Sequence, residues 1–269
     1  MTETEETPNA RIDYEVRDHI AYITFNRPAR LNSLTLAQLH LLHETFRRFD
    51  RDEAAWIAIV SGEGRAFCSG ADVKDRQLQT DPALKLTKGE NPIHDNSNHG
   101  FFDHTINSKP VIVAAHGYAI GAGMLVLLEA DFAIVTEDCQ LQVTETRRGL
   151  YGSLHWFHIR EMAGARFAND VAMTGRMFSG KEAYDQGLVH KAVPAGEHVK
   201  AAEELAAQLM ENPPLAVRHL VRTRRWYAFK QAIDIPVIKE GLDLVDSEDF
   251  KESATAFVEK RPHAPWKAR

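Results

Sequence analysis

Residues Ile12 to Phe25 alternate apolar and polar side chains around a polar break at Arg17-Asp18-His19, which predicts a β-hairpin. Leu36, Leu39, Leu42, Phe46 and Phe49 then recur at helical spacing, with Ser33 or Thr35 as the cap. Three short apolar runs follow: Ile57 to Ser61, closed by Gly62; Val111 to Ala115; and Phe132 to Val135. Each reads as a buried strand. Met124 to Ala130 is apolar apart from Glu129 and reads as a buried helix. Strands alternating with helices predict βαβ units and a largely parallel sheet, an α/β fold. Ligands of such sheets lie beyond the C-terminal ends of the strands.

Between Asp75 and Ile106 the periodicity disappears and Asp, Asn, His and Lys accumulate, the mark of a long functional or mobile loop. His94, His99 and His104 fall there at five-residue intervals, a spacing that fits no helical metal face. After Val193 the pattern is helical. A helix over Ala201 to Met210 stops at Asn212-Pro213-Pro214 and restarts, and further helices run to Phe257. The Pro-rich end, Arg261 to Arg269, reads as extended. The chain thus divides into an acidic, disordered lead-in over 1–10, a core over 11–195, and a helical region over 196–269.

The 269 residues carry 44% hydrophobic and 26% charged side chains, ordinary values for a globular protein. A net charge of −6 gives no support to nucleic-acid binding. The basic cluster Arg218, Arg222, Arg224 and Arg225 reads as a solvated helix face. Cys68 and Cys139 stand at no metal-ligand spacing and fit a reducing, cytoplasmic setting better than a disulfide. No apolar run reaches transmembrane length, which argues against a membrane partner.

The candidate chemistry lies in two glycine-bearing segments, Gly64-Arg65-Ala66-Phe67-Cys68-Ser69-Gly70-Ala71-Asp72 and His116-Gly117-Tyr118-Ala119-Ile120-Gly121-Ala122-Gly123-Met124. Small residues at strand ends let a ligand approach the backbone. The second segment opens the apolar helix, whose N-terminus presents unpaired N–H groups and partial positive charge. One N–H from each segment, converging on one oxygen, would make an oxyanion hole from backbone alone. With Asn26-Arg27-Pro28, Leu31-Asn32-Ser33-Leu34, Thr174-Gly175-Arg176, Ala183 to Val189 and Ala256 to Arg261, these segments form an ordered set spanning nearly the whole chain. That set resembles the crotonase superfamily, the enoyl-CoA hydratase/isomerase family.

The resemblance implies a ββα spiral with a C-terminal helical region, and an enzyme that stabilises the enolate of an acyl-CoA thioester. It assigns the oxyanion N–H groups to Ala71 and Ala122 and the general base to Glu145. Typical hydratases of the family carry a second glutamate, which would fall at Leu125. Leucine transfers no proton, and Glu129 lies a helical turn further on. The resemblance also points to Arg30, Leu31 and Ser69 for CoA, together with Phe257 and Lys260, a pair that usually comes from a neighbouring subunit. It implies no permanent cofactor, no metal, and a homotrimer or dimer of trimers.

Asp72 reads as a brace or cap for the loop, and Tyr151, His155 and His158 as candidates to face the pocket. Bulky Leu154, His155, Trp156 and Phe157 replace a segment usually richer in glycine, which suggests a reshaped acyl pocket. Hydration, double-bond isomerisation and hydrolysis of a CoA ester or carbon–carbon bond, on a cyclic acyl group for instance, are the enzyme alternatives. A CoA-binding scaffold is the non-enzyme one.

Overall fold

A computed structural model describes residues 11–76, 78, 107–233, 244 and 246–267. The acidic lead-in and His94, His99 and His104 lie outside the described residues.

The predicted hairpin is β1 (Ile12–Arg17) paired antiparallel with β2 (Ile20–Phe25). Asp18 and His19 both take positive φ, 47° and 64°, the twist that suits a two-residue hairpin turn. Helix α1 (Leu36–Arg51) begins at Thr35, whose hydroxyl accepts from the N–H of Gln38 while Gln38 reaches back to the Thr35 N–H. This capping box selects Thr35 over Ser33. Leu39, Leu42, Phe46 and Phe49 are buried on one side of α1.

From β2 the sheet grows by parallel pairing: β3 (Ile57–Gly62), β4 (Val111–Ala115), β6 (Phe132–Thr136) and β9 (Lys191–Val193). Successive side chains divide between two cores, as a pleated strand buried on both faces requires. Ala58, Val60, Val111, Val113 and Val135 face the core that includes α1; Ile57, Ile59, Ile112 and Ile134 face the other. Helix α7 (His198–Met210) closes this second core with Ala201, Ala202 and Ala206, small residues that let it lie close to the sheet.

A second, three-stranded sheet joins β5 (Tyr118–Ile120), β7 (Gln140–Gln142) and β8 (Met177–Ser179). Twice the chain passes from the main sheet to this one and then into a helix. It runs β4, β5 and α3 (Ala122–Glu129), then β6, β7 and α4 (Ser153–Ala163). That repeated ββα turn is the predicted spiral. Its two turns stack because β5 and β7 pair in parallel.

Helices α5 (Ala165–Thr174), α6 (Gly180–Asp185), α8 (Pro214–Ile233) and α9 (Glu248–Glu259) complete the described elements, with a four-residue turn α2 (Val73–Arg76) after the first glycine segment. α7 ends and α8 begins around Asn212-Pro213-Pro214, as predicted.

The basic cluster on α8 departs from the solvated face expected of it. Arg225 is buried and bonds the Asn107 carbonyl and the Asp131 carboxylate, while Arg224 donates to Asp131 at 3.0 Å. Asp131 is nearly inaccessible and also accepts from the Val111 N–H at 2.8 Å. A buried carboxylate needs cationic partners, so α8 turns these two arginines inward and pins itself to the start of β4. Among the described residues no helix is long and apolar enough to cross a membrane.

Candidate active site

The two glycine segments meet. Cys68 and Ala119 form a parallel bridge, with the Cys68 N–H on the Tyr118 carbonyl at 2.9 Å and the Ile120 N–H on the Cys68 carbonyl at 3.0 Å. Further on, Leu34 donates to the Gly70 carbonyl at 2.8 Å and its own carbonyl accepts from the Asp72 N–H at 2.9 Å. In extended chain, alternate residues direct their polar groups to opposite sides. Ala71, between Gly70 and Asp72, therefore turns its N–H away from Leu34. Gly70 has φ +93°, and a Cβ there would stand 2.7 Å from the Ile120 carbonyl oxygen and 3.5 Å from the Ala122 nitrogen. Only glycine permits this approach of the Ala71 strand to the start of α3.

Ala122 is the first residue of α3, following Gly121 at φ +53°. Its N–H precedes the helical hydrogen-bond ladder and has no acceptor within the helix. Among the described residues, neither the Ala71 nor the Ala122 N–H meets a hydrogen-bond acceptor. Both stand at one strand–helix junction, where the helix dipole favours negative charge.

Register brings Glu145 to the same place. Ile120 pairs with Gln142, and the Gly121 N–H bonds the Gln142 carbonyl at 3.0 Å. After Gln142 the chain turns at Glu145, whose carbonyl accepts from the N–H groups of Arg148 at 2.9 Å and Leu150 at 2.8 Å. This fixes the backbone and aims the carboxylate at the Gly121 turn, where a Cβ on Gly121 would lie 3.4 Å from Glu145 Oε1. The other oxygen, Oε2, is buried with no hydrogen-bond partner among the described residues.

His155 adds a contact that sequence reasoning named only as a general candidate. Its ring is buried. Nε2 stands 2.9 Å from the Gly121 carbonyl oxygen and 3.5 Å from Glu145 Oε1. Gly152, immediately before α4, lies against the Glu145 side chain, whose Cβ is 3.5 Å from where a glycine Cβ would stand. The helix thus begins against Glu145, and His155 lies within its first turn. His158, further along α4, is buried against a different cavity of about 440 Å³, lined also by Leu127, Phe157, His190, Arg224 and Tyr227. Burial, then the nearby charge of Arg224, pushes its imidazole down to about 3.

The remaining sequence candidates separate by role. Leu125 is half-buried and packed on the core. Glu129 is buried on the far part of α3, near enough to Arg225 to favour the guanidinium charge, and its backbone carbonyl accepts from Arg224 at 2.8 Å. It serves that ion-pair group. Cys68 is fully buried beneath Gly123, and burial pushes its thiol up to about 12, which disfavours the thiolate.

Asp72 braces the loop, pairing with Arg27 at 2.9 Å. Burial alone would raise its carboxyl, but the Arg27 hydrogen bond and charge, with the Asp75 N–H and the Ser33 hydroxyl, hold it below its ordinary value.

Of the candidate CoA residues, Leu31 and Ser69 are tied together, the Ser69 N–H bonding the Leu31 carbonyl at 3.0 Å. Leu31 closes the short turn Pro28–Arg30, which leaves Arg30 exposed at the loop's edge. Phe257 and Lys260 end α9. The Phe257 ring lies over the Arg148 guanidinium of its own chain at 3.6 Å, and Ser253 donates to the Arg147 carbonyl at 3.0 Å. α9 therefore packs on the turn that follows Glu145 in the same chain. Among the described residues no group of three or more His, Cys, Asp or Glu side chains is arranged to hold a metal ion.

A family model described as enoyl-CoA hydratase/isomerase matches residues 15–269. An enoyl-CoA hydratase, EchA19, of Mycobacterium tuberculosis is 30% identical over 97% of this chain and 97% of its own length. A carnitinyl-CoA dehydratase of Salmonella typhi is 32% identical, over 93% of this chain and 95% of its own. Among solved structures, a carnitinyl-CoA hydratase from Mycobacterium avium superposes with a TM-score of 0.81 at 28% identity, covering 97% of this chain and 100% of that one.

Proposed function

The chain belongs to the enoyl-CoA hydratase/isomerase family, and on that premise we propose that it moves a proton at the carbon beside an acyl-CoA thioester carbonyl, with Glu145 as the base. The observation that carries this reading is the convergence of the Ala71 strand, the Ala122 helix start and the Glu145 carboxylate on one junction. The N–H groups of Ala71 and Ala122 hold the thioester oxygen. Glu145 takes the C2 proton, and the electron pair moves onto that oxygen, giving an enolate. Each such donor contributes roughly 2.7–4 kcal/mol to the transition state.

Return of the proton at C4 of a 3-enoyl thioester shifts the double bond to the 2 position with no net gain or loss of atoms. Leu125, where a second carboxylate would stand in a two-base hydratase, favours this one-base outcome. Addition or removal of water is the second reading, favoured by relatives named as hydratase and dehydratase. Arg30, Leu31 and Ser69 at one edge and Phe257 and Lys260 on α9 bind the CoA portion; no permanent cofactor is required. The exposed Leu215, Leu220 and Trp226 of α8 support assembly with copies of itself, as a trimer or dimer of trimers.

The test is exchange of the C2 protons of a saturated acyl-CoA into deuterated water, followed by a screen of 2-enoyl and 3-enoyl thioesters of varied chain length. Wild-type protein exchanges C2, and Glu145→Gln loses roughly 10²–10⁴-fold in rate. An undiminished Glu145→Gln rate removes the base assignment, and no exchange by wild type leaves a CoA-binding scaffold.

A further inference from the structure

We propose that His155 is a positioning residue of this site, one Nε2–H clamping the base Glu145 to the turn that carries the Ala122 N–H. The inference rests on the reading of Glu145 as the base. Its own support is geometric. One nitrogen stands 2.9 Å from the Gly121 carbonyl oxygen and 3.5 Å from Glu145 Oε1. A backbone carbonyl only accepts, so Nε2 is the donor and carries the proton. Glu145 Oε1, 3.5 Å from the same nitrogen, lies within electrostatic reach of that N–H, while the Gly121 carbonyl is its hydrogen-bond acceptor.

The consequence concerns two turns that follow the paired strands β5 and β7 and lie against each other at Gly121. Gly121 immediately precedes Ala122, so a bond to its carbonyl fixes the very peptide plane whose N–H is proposed to face the enolate oxygen. Glu145 must take a proton from C2, the carbon next to the carbonyl carbon that bears that oxygen, and then return it. Holding both against one imidazole sets the separation of base and oxyanion donor. Displacing a reacting group by about 1 Å costs on the order of 10²-fold in rate. The contact acts on Oε1 alone; Oε2 is buried without a hydrogen-bond partner among the described residues, so the imidazole is what holds the carboxylate in place.

The His155 ring is buried, only 5% of its side chain being exposed, and it is fixed on a helix that starts against Glu145. A residue on rigid structure sets a distance more sharply than one on a loop.

The experiment compares His155→Phe, which fills the space without a donor, with His155→Gln, whose amide N–H reaches a position like that of Nε2. Turnover on the best thioester from the screen is resolved into kcat and KM, and binding of a non-reactive acyl-CoA is measured by calorimetry. The expected result is a 10- to 100-fold fall in kcat for His155→Phe, with KM and acyl-CoA affinity within about threefold of wild type and most of kcat recovered in His155→Gln. Wild-type kcat in His155→Phe overturns the proposal. Equal loss in both variants also overturns it, because the imidazole shape and not its donor would then matter. If His155→Phe does not fold, His155→Asn, too short to reach Gly121, takes its place under the same criteria. Glu145→Gln is run beside them: full activity there refutes the base assignment, whereas a silent His155→Phe beside an inactive Glu145→Gln refutes the clamp alone.

Discussion

Gly123 lies so close to Cys68 that a Cβ on the glycine would stand 2.8 Å from the Cys68 Cβ and 2.9 Å from its sulfur, and nearer still to its carbonyl oxygen. That oxygen is occupied by the Ile120 N–H, so it has no freedom to retreat. The second residue of α3 is thus seated directly on the strand that leads to Ala71. Gly123→Ala forces the two apart. We expect a loss of about 1–3 kcal/mol in urea unfolding, the usual cost of overpacking. The fall in kcat should exceed what that stability loss explains, because the Ala71 and Ala122 N–H groups proposed to hold the thioester oxygen would separate. An alanine variant with unchanged unfolding midpoint and kcat would show that the seat is not tight.

Arg27 and Asp72 predict a pH effect. Asp72 follows Ala71, and its ion pair with Arg27, 12% and 19% exposed, anchors the oxyanion strand to the first turn. Its folded carboxyl lies below the ordinary value, so its stabilisation is complete above the unfolded value of about 3.9 and is lost as the pH falls through the lower, folded one. Asp72→Asn should cost about 1.5–3 kcal/mol at neutral pH, as for a hydrogen bond to a charged partner. The gap between variant and wild type should close progressively below about pH 4. Chemical denaturation across pH checks both, and a gap that stays constant into acid rules out the ion pair as its source.

Much of this was legible in the chain, for physical reasons. The hairpin, α1 and the strands β3, β4 and β6 announce themselves because each buries at least one face and the side-chain period reports it. The junction of Ala71 and Ala122 follows from small residues at strand ends, although that pattern alone does not say they meet; the bridge between Cys68 and Ala119 does. Arg225 escapes a reading of the sequence because composition counts charges and not partners, and Asp131, its partner, lies 94 positions away. The His155 contact was hidden similarly. A histidine in an amphipathic stretch has no signature, and its partners come from α3 and from the turn after β7. The nearest signal was the bulk of Leu154 to Phe157 after Gly152.

His158 gives a second pH effect, of opposite origin. Burial, the charge of Arg224 and the neighbouring His155 push its folded value down to about 3. The unfolded imidazole titrates near 6.5, so in acid the unfolded state binds a proton that the folded state refuses. Stability should therefore fall as the pH drops from about 6.5 toward 3, by up to about 1.4 kcal/mol per pH unit. His158→Gln should flatten part of that slope in denaturation series. His198, pushed down to about 4 by burial and by His116, contributes with the same sign and remains in the variant. An unaltered acid slope in His158→Gln would mean that this imidazole gains its proton without unfolding.

Leu125 decides between the two outcomes open to a one-base site. It is half-buried on α3 and packed against the core, at the position where the family resemblance would put a second carboxylate. Glu129, further along the helix, is committed to the Arg224 and Arg225 cluster and does not substitute. The wild type should therefore hydrate crotonyl-CoA more slowly than it moves a double bond in its best 3-enoyl thioester. Leu125→Glu should raise hydration relative to isomerisation if the rest of the pocket can seat water. Placing an unpaired carboxylate at a largely apolar site should also cost about 1–3 kcal/mol of stability. Mass-spectrometric counting of hydrated and isomerised products, with thermal unfolding alongside, separates gain of chemistry from loss of fold. Efficient crotonyl-CoA hydration by the unmodified chain would reverse the conclusion, making Glu145 sufficient for water addition and Leu125 a determinant of acyl shape alone.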